Sequence, residues 1–196
     1  MTKAARTKLF LIETMADVFN KKGFSGTSIS DVEHITGLSR GAVYSHFANK
    51  EEMALAVFDY NFAKVCGLVA QRLKAAYSFY EKVMVFVHVY QTLGSDSVFT
   101  GGSPIFNTAS EADDTNILLK EKAFRAIMKK ERTLADLIRM GMQTGEFRKG
   151  IDPEAMATSI ISALEGGLMA ARLTNDLNRM NNVARTVQAL LGGILN

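Results

Sequence analysis

Apolar residues recur at three- and four-residue intervals along almost the whole chain, and only one segment has the composition of a β-strand. That segment, residues 83–90, reads VMVFVHVY and is rich in the β-branched residues that strands favour. No second run of this kind is present to pair with it, and an unpaired strand leaves its backbone N–H and C=O groups without partners. The sequence therefore predicts a buried helix at residues 83–90 and an all-α fold.

Helix signals divide the rest of the chain into segments. A helical pattern of apolar residues stops at Gly23, a residue type that ends helices. Two short helices are expected at residues 29–36 and 40–47, and a long one begins after the N-cap candidate Asn49. An Asp-Pro pair at residues 152–153 has the residue types preferred at an N-cap and a first helical position. In all, the sequence predicts about nine helices.

The composition is that of a globular protein and excludes several classes. Of the 196 residues, 47% are hydrophobic, which is too many for a disordered chain. The longest apolar stretch is far shorter than the roughly 18 residues of a membrane-spanning helix, and no signal-peptide pattern opens the chain. The single cysteine, Cys66, cannot form an intramolecular disulfide and suits a reducing compartment. We therefore expect a cytoplasmic protein with no membrane partner.

The charge is unevenly distributed along the chain. Residues 1–50 contain 7 Lys and Arg against 4 Asp and Glu, whereas residues 51–196 contain 16 of each kind. The formal net charge of +3 therefore comes entirely from the first quarter of the chain. Such an asymmetry is typical of a protein whose N-terminal part meets a polyanion.

Residues 27–47 have the outline of a helix-turn-helix. The two short helices, joined at Gly37, cannot be stable alone and must pack on a third helix. The apolar residues spaced to do so are Val32, Leu38, Val43 and Phe47, facing Ile12, Ala16 and Phe19. The second helix then exposes Arg40, Gly41, Ala42, Tyr44, Ser45 and His46. An arginine among small and hydrogen-bonding residues suits the DNA major groove, where Arg bonds the O6 and N7 atoms of guanine.

Each of these residues also fits a plainer role when it is considered alone. A helix-turn-helix outline occurs in bundles that never bind DNA, and a lone Arg40 suits a solvated surface. His46 fits a packing or capping role, and Tyr44 fits a half-buried core position.

A family resemblance decides between these alternatives. It is carried by residues 23–29 (GFSGTSI), residues 37–47 (GLSRGAVYSHF) and residues 49–52 (NKEE). Together they resemble the N-terminal signature of the TetR family of bacterial transcriptional regulators, over roughly residues 5–58. Further along, TGEF at residues 144–147 and EGGL at residues 165–168 resemble a subgroup pattern.

The resemblance implies an organisation and a function. Residues 1–49 would form a helix-turn-helix DNA-binding domain, and a long helix would join it to an effector-binding and dimerisation domain at residues 50–196. The implied function is that of a ligand-responsive transcriptional regulator, most commonly a dimeric repressor released from double-stranded operator DNA by a small effector. The family positions that face bases hold Arg40, Gly41, Ala42 and Ser45; those that usually meet phosphates hold Thr27, Ser30, Tyr44, His46 and Lys50.

Local chemistry adds detail to this DNA-binding set. Ser39 is placed to cap the second short helix. Lys50 lies in the first turn of the long helix, where a cation is unfavourable to the helix dipole, so a phosphate partner would rationalise it.

Three positions depart from the family pattern. Glu33 and Thr36 stand where small residues are usual, and we expect Glu33 to form a capping box with Ser30. Ser103 stands where related regulators with a comparable loop often carry cysteine. Thiol sensing of an electrophile at that position is therefore excluded.

A homodimer is expected because a two-fold dimer reads two half-sites, and the family resemblance implies that its interface is formed by the last two predicted helices. The predicted interface residues are Met156, Ile160, Leu164, Gly167, Ala171, Val187, Leu190 and Leu191. The alternative is that they form the core of a single chain.

The middle helices are expected to enclose a pocket for a small hydrophobic effector of unknown identity. The predicted lining is Phe62, Cys66, Met84, His88, Tyr90, Phe99, Phe106, Phe124, Met128 and Met169, with Asn107, Glu165 and Arg172 as polar anchors. The alternative for each is plain core. A ligand that prefers another spacing of the two recognition helices would lower DNA affinity by linkage, with residues 50–76 as the lever.

Two other classes of function compete with this interpretation. The chain has three histidines and one cysteine, without a zinc-protease motif, a cysteine pair or a phosphate loop, so we expect no catalytic residues, no metal and no cofactor. A ligand-carrying helical bundle is the second rival. Neither class explains the exposed face of residues 40–46.

Overall fold

The computed structural model describes residues 1–95 and 100–196 of the chain. Over these residues it contains nine α-helices and no β-strand, with an isolated bridge between Phe147 and Leu195. The predicted all-α fold is confirmed, and residues 83–90 lie in a helix as expected. In chain order the helices are α1 (Lys3–Lys22), α2 (Ile29–Thr36), α3 (Arg40–Tyr44), α4 (Lys50–Leu73), α5 (Phe79–Gly94), α6 (Pro104–Ala112), α7 (Ile117–Thr144), α8 (Pro153–Leu173) and α9 (Asn178–Gly192).

The bounds of α2 match the prediction, but its capping box and the end of α3 differ from it. The capping box of α2 joins Ser28 to Asp31, so the predicted box between Ser30 and Glu33 is wrong. Hydrogen bonds from the Ser28 hydroxyl and N–H lower the pKa of Asp31 to about 2. Helix α3 ends at Tyr44, about one turn earlier than expected.

Contacts divide the chain into two compact units. The first contains residues 1–64 and 104–124, and the second contains the described part of residues 65–103 together with residues 125–196. The divisions fall inside α4 and α7, so each of these helices contributes to both units. The predicted boundary at residue 49 marks the end of the helix-turn-helix segment. The unit that holds this segment also includes the first part of α4 and all of α6.

The core of the first unit forms where the helices of the helix-turn-helix meet. Leu11, Met15 and Phe19 of α1 are buried in one cluster with Val32 of α2 and Val43 of α3. Burying side chains of this size contributes roughly 1.5–3 kcal/mol each. The pattern that predicted this packing is confirmed, although Ile12 and Leu38 lie at the edge of the cluster rather than inside it.

The core of the second unit lies among α5, α8 and α9, which pack against one another. The buried residues of α5 include Val83, Val87 and Leu93. The approach of α8 to α9 is close at Gly167, where an added Cβ atom would lie 2.6 Å from Cγ2 of Val183. A larger residue at position 167 would push these two helices apart.

Most residues predicted for the dimer interface lie in this core instead. Five of them are buried within the chain: Ile160, Leu164, Ala171, Val187 and Leu191. Met156 packs against the same cluster, and Gly167 faces α9 of its own chain. Leu190 differs, since 46% of it is exposed. The predicted interface was wrong for these buried residues because helical spacing identifies buried positions but cannot distinguish burial by the same chain from burial by a partner.

Helix α4 is long and apolar enough to cross a membrane, and it is the one helix in the described ranges that meets this criterion of length and composition. A core helix meets the same criterion. Met53, Val57 and Val65 of α4 are buried in the cores of the two units.

Candidate functional site

The exposed face of α3 carries the residues that the sequence predicted there. It presents Arg40, Gly41, Tyr44 and Ser45, with Ala42 and His46 partly exposed. Burial of Val43 turns this face outwards, and Ser39 caps the helix by accepting the N–H of Ala42 at 3.3 Å. A side chain added at Gly41 would meet no atom within 4 Å. The face is therefore open, and a flat surface can approach the backbone of α3.

The guanidinium of Arg40 lies beside a carboxylate on the neighbouring helix. Glu33 of α2 accepts the backbone N–H of Arg40 at 2.8 Å, and its second oxygen lies 3.4 Å from Nη2 of Arg40. The Arg40 side chain remains 60% exposed. An exposed pair of this kind contributes about 0.2–1 kcal/mol, which is less than the roughly 1–3 kcal/mol of a bidentate contact to guanine. Glu33 therefore positions Arg40 without preventing it from binding a base.

Thr27 contradicts the prediction that it contacts a phosphate. The residue is fully buried, and its hydroxyl donates to the carbonyl oxygen of Gly23 at 2.7 Å. A side chain without accessible surface cannot bind DNA. Thr27 instead stabilises the turn between α1 and α2.

Lys50 has partners within the protein that the prediction did not include. Its ammonium donates to the carbonyl oxygens of Phe24 at 2.8 Å and Thr27 at 2.9 Å, and it lies 4.1 Å from the centroid of the Phe24 ring. These acceptors compensate the unfavourable position of a cation at the start of α4. Lys50 therefore has a bracing role within the protein, and its contact with a phosphate stays a prediction.

The other predicted phosphate contacts keep accessible surface. Ser30 is exposed in the first turn of α2, 42% of Tyr44 is exposed, and His46 is partly exposed. Their contacts with DNA stay predictions.

Two family models match the chain. Residues 11–57 match the model described as bacterial regulatory proteins of the tetR family, and residues 80–187 match a C-terminal domain described as tetracyclin repressor-like. The second match alone covers more than half of the chain. The chain belongs to the TetR family. It is a DNA-binding transcriptional regulator of that family.

Individual relatives agree with this assignment over the whole length. A TetR-family regulator from Cytophaga hutchinsonii is 35% identical, covers 100% of this chain and 98% of its own, and superposes with a TM-score of 0.92. A TetR regulator from Chloroflexus aurantiacus is 32% identical with the same coverage and a TM-score of 0.94. The HTH-type transcriptional repressor DhaR from a Mycobacterium species is 21% identical over 184 residues, which cover 92% of this chain and 90% of DhaR.

A buried polar cluster lies in the second unit of this TetR-family regulator. Lys130 of α7 donates to the Tyr90 hydroxyl of α5 at 2.9 Å, and Tyr90 donates to Oε1 of Glu165 of α8 at 2.5 Å. Lys130 also lies 3.6 Å from Glu165 Oε1. Burial lowers the pKa of Lys130, and burial followed by the Glu165 charge raises the pKa of Tyr90 well above 10. The second oxygen, Glu165 Oε2, is buried without a hydrogen-bond partner among the described residues.

The remaining predicted effector residues are divided between the two units. Phe62, Phe106, Asn107 and Phe124 belong to the first, and Cys66, Met84, His88, Met128, Met169 and Arg172 belong to the second. Asn107 donates to the backbone carbonyl of Asn20 at 2.9 Å, which gives it a structural role, and its role as a polar anchor stays a prediction. His88, Phe124 and Met169 are exposed, and Met84 is buried in the core. Phe99 lies outside the described residues.

Lys130 is not among the residues predicted from the sequence, although its position in the helical pattern of α7 indicated it. Lys130 occurs four residues after buried Ala126 and four residues before buried Leu134, which places a charge inside the apolar stripe of α7. A charged side chain at such a position is rarely buried without a partner. The pattern therefore indicated a buried partner, but not that the partner would be Tyr90 and Glu165.

A small cavity of about 30 Å³ lies in the first unit, lined by parts of α1, α4 and α6. Its polar lining includes Asn20, Asn61, Asn107 and Glu111. Its size suits one or two water molecules. Across the described ranges, no cluster of three or more His, Cys, Asp and Glu side chains is able to hold a metal ion.

Proposed function

We propose that the protein is a dimeric repressor that binds operator DNA through α3 and leaves it when a small effector binds the second unit. The observation that carries the proposal is the open face of α3, with an exposed arginine beside a glycine and over a buried valine. This arrangement suits a helix that enters the major groove. We propose that the protein acts in the cytoplasm, as a regulator and not as an enzyme.

The DNA contacts divide into base readers and phosphate contacts. Arg40 would bind guanine, while Gly41, Ala42 and Ser45 allow close approach to neighbouring bases. Ser30, Tyr44 and His46 would meet phosphates on either side of the groove. The burial of Thr27 and the internal partners of Lys50 support leaving these two residues out of the set.

Two copies are needed because a recognition helix of five residues makes few contacts, whereas a symmetric dimer reads two half-sites. The outward face of α8 supports a close interface between helices. It is free of charged residues over residues 158–164 and presents small or apolar exposed residues, including Ser159, Ser162, Ala163 and Met169, to which α9 adds Leu190. We therefore assign the interface to this face rather than to the buried residues of the same helices.

The effector would bind in the second unit beside the cluster of Lys130, Tyr90 and Glu165. The unpartnered Glu165 Oε2 supports a ligand that carries an O–H or N–H group, because a buried acceptor gains most from a donor. The rest of the ligand would be apolar, in keeping with Met84 and the surrounding core. A ligand that favours the conformation with the wrong spacing of recognition helices lowers operator affinity by linkage.

A footprint on the DNA upstream of the protein's own gene tests the proposal. Two protected half-sites, related by two-fold symmetry and centred about 34–36 Å apart, are expected from a dimer with two recognition helices in successive major grooves. Affinity is expected to fall steeply as salt rises. Binding that is equally strong to unrelated duplexes at every salt concentration would reject the assignment of operator recognition to α3.

A further inference from the structure

The Glu111 carboxylate of α6 binds the backbone of the loop that leads into the helix-turn-helix. Glu111 accepts the backbone N–H of Phe24 at 2.7 Å and the backbone N–H of Ser25 at 2.6 Å. These residues belong to the loop of residues 23–28 that joins α1 to α2. Glu111 follows them by more than 80 residues in the chain and lies in the region that matches the C-terminal family model.

Lys50 also holds the same loop. The ammonium binds the carbonyl oxygens of Phe24 and Thr27, while the Glu111 carboxylate binds the N–H groups of Phe24 and Ser25. Burial raises the pKa of Glu111, but the hydrogen bonds from Ser25 and Phe24 and the charge of Lys50 outweigh it, so that the pKa is lowered. The loop is therefore clamped between an anion and a cation that each bind backbone groups of the matching polarity.

The backbone is shaped to admit this carboxylate. Gly23 has a φ of +75°, and a Cβ atom added there would lie 2.4 Å from Oε2 of Glu111. Any other residue would be strained at this φ and would displace the carboxylate. Two further bonds tie α1 to its neighbours nearby: Asn107 of α6 donates to Asn20 O, and Asn61 of α4 donates to Ala16 O.

We propose that Glu111 is a positioning residue for operator binding, which acts through the loop of residues 23–28. That loop sets how α2, and with it α3, leaves α1, so loosening it blurs the orientation of the recognition helix. Helix α6, as part of the first unit, thereby contributes to operator binding. The inference rests on the proposed operator binding by α3, and it does not depend on the effector or on repression.

The test compares two variants that remove the same charge from neighbouring positions. Glu111→Gln keeps the size of the side chain. Its single carbonyl oxygen can accept the N–H of either Phe24 or Ser25, and its NH₂ group then faces the other N–H, which it cannot accept. Asp114→Asn is the control, since Asp114 is exposed in the same unit, three residues further along. Glu111→Asp serves as a second variant, because it keeps the charge but withdraws the carboxylate by one methylene.

Three measurements are made on each full-length variant: operator affinity and scrambled-duplex affinity by fluorescence anisotropy, amide hydrogen exchange of Phe24 and Ser25, and the thermal unfolding midpoint. For Glu111→Gln and Glu111→Asp we expect about a ten- to hundredfold loss of operator affinity, the loss expected for a hydrogen bond to a charged group. Scrambled-duplex affinity should change little, the exchange of both amides should accelerate, and the protein should stay folded. Asp114→Asn should match wild type throughout.

Three outcomes would overturn the inference. Faster exchange with wild-type operator affinity would mean that the loop does not position α3, and unchanged exchange would mean that the carboxylate does not hold the loop. Failure of the proposed function gives a different result, since wild type itself would then show no preference for operator over scrambled DNA. If a variant loses affinity for operator and scrambled DNA to the same extent, Glu111 contributes to the general stability of the protein and does not position α3.

Discussion

Replacing Arg40 by alanine removes the guanidinium from the exposed face of α3 while the helix itself stays capped. The cap of α3 uses the Ser39 hydroxyl, and Glu33 accepts the backbone N–H of residue 40, so neither bond needs the arginine side chain. Any loss of DNA affinity in Arg40→Ala therefore reports the side chain and not the collapse of α3.

The magnitude follows from two competing contacts. A bidentate bond to guanine contributes about 1–3 kcal/mol, and binding DNA gives up the pair with Glu33, which is worth about 0.2–1 kcal/mol at an exposed site. From the middle of these two ranges, the net loss is about 1–2 kcal/mol for each half-site. For a dimer on two half-sites this becomes about 2–4 kcal/mol, or a decrease in operator affinity of about 30- to 700-fold.

The assay is fluorescence anisotropy with the footprinted operator and a scrambled duplex at one fixed salt concentration. Arg139→Ala is the matched control, because it removes the same charge from the second unit, where Arg139 pairs with Asp136 and Glu154. Glu33→Gln is a companion variant that keeps an acceptor for the backbone N–H but weakens the pair with the guanidinium. Its operator affinity should stay within about threefold of wild type.

The reasoning would be refuted by either of two results for Arg40→Ala. An unchanged operator affinity would show that Arg40 does not read a base. An equal loss on operator and scrambled duplex would assign Arg40 to a phosphate, because phosphate contacts carry no sequence information.

Three further predictions concern positions that the structure reassigns or adds. Lys130→Ala should lower the free energy of unfolding by about 3–5 kcal/mol in urea titrations, because it leaves the buried Glu165 without its cation, whereas alanine at the neighbouring exposed Lys129 should cost under about 0.5 kcal/mol. Ala163→Arg should convert the dimer to monomers in sedimentation equilibrium without lowering helix content, and a variant that stays dimeric would exclude the outward face of α8. Lys50→Ala should weaken operator binding with an unchanged salt dependence, since its partners are backbone carbonyls; a slope shallower by about 0.9 for each Lys50 would instead assign it to a phosphate.

The architecture could be predicted from the sequence because it depends on rules that act over a few residues. The run at residues 83–90 was assigned to a helix against its strand propensity, because no second strand was available, and α5 confirms this argument. Helical periodicity likewise identified Val32, Val43 and Phe47 as core. Both inferences use only the need to bury apolar surface and to pair backbone groups within one chain.

The identity of the partner of a buried or charged residue could not be predicted in the same way. Spacing marked Ile160 and Leu164 as buried residues of α8, and the expectation of a dimer then assigned them to the wrong neighbour, since they are covered by their own chain. Glu33 shows the same limit, because its acid group was expected to cap α2 and instead holds Arg40 across the turn. In each case the sequence indicated the kind of contact that was needed, and the tertiary fold determined with which residue it was made.

Lys50 shows the distinction most clearly. A cation in the first turn of a helix requires a compensating acceptor, and that part of the argument holds, since the ammonium has two acceptors at hydrogen-bond distance. The acceptors within the protein are main-chain carbonyls, which every residue carries and which composition therefore cannot reveal. Glu111 is the complementary case: its partners are main-chain N–H groups of the same loop, so no pairing of side-chain charges in the sequence could have linked the two ends of this clamp. Contacts that join a charge to the backbone across long sequence distances can thus be identified only from a structure. In this regulator they lie at the loop that leads into the helix-turn-helix.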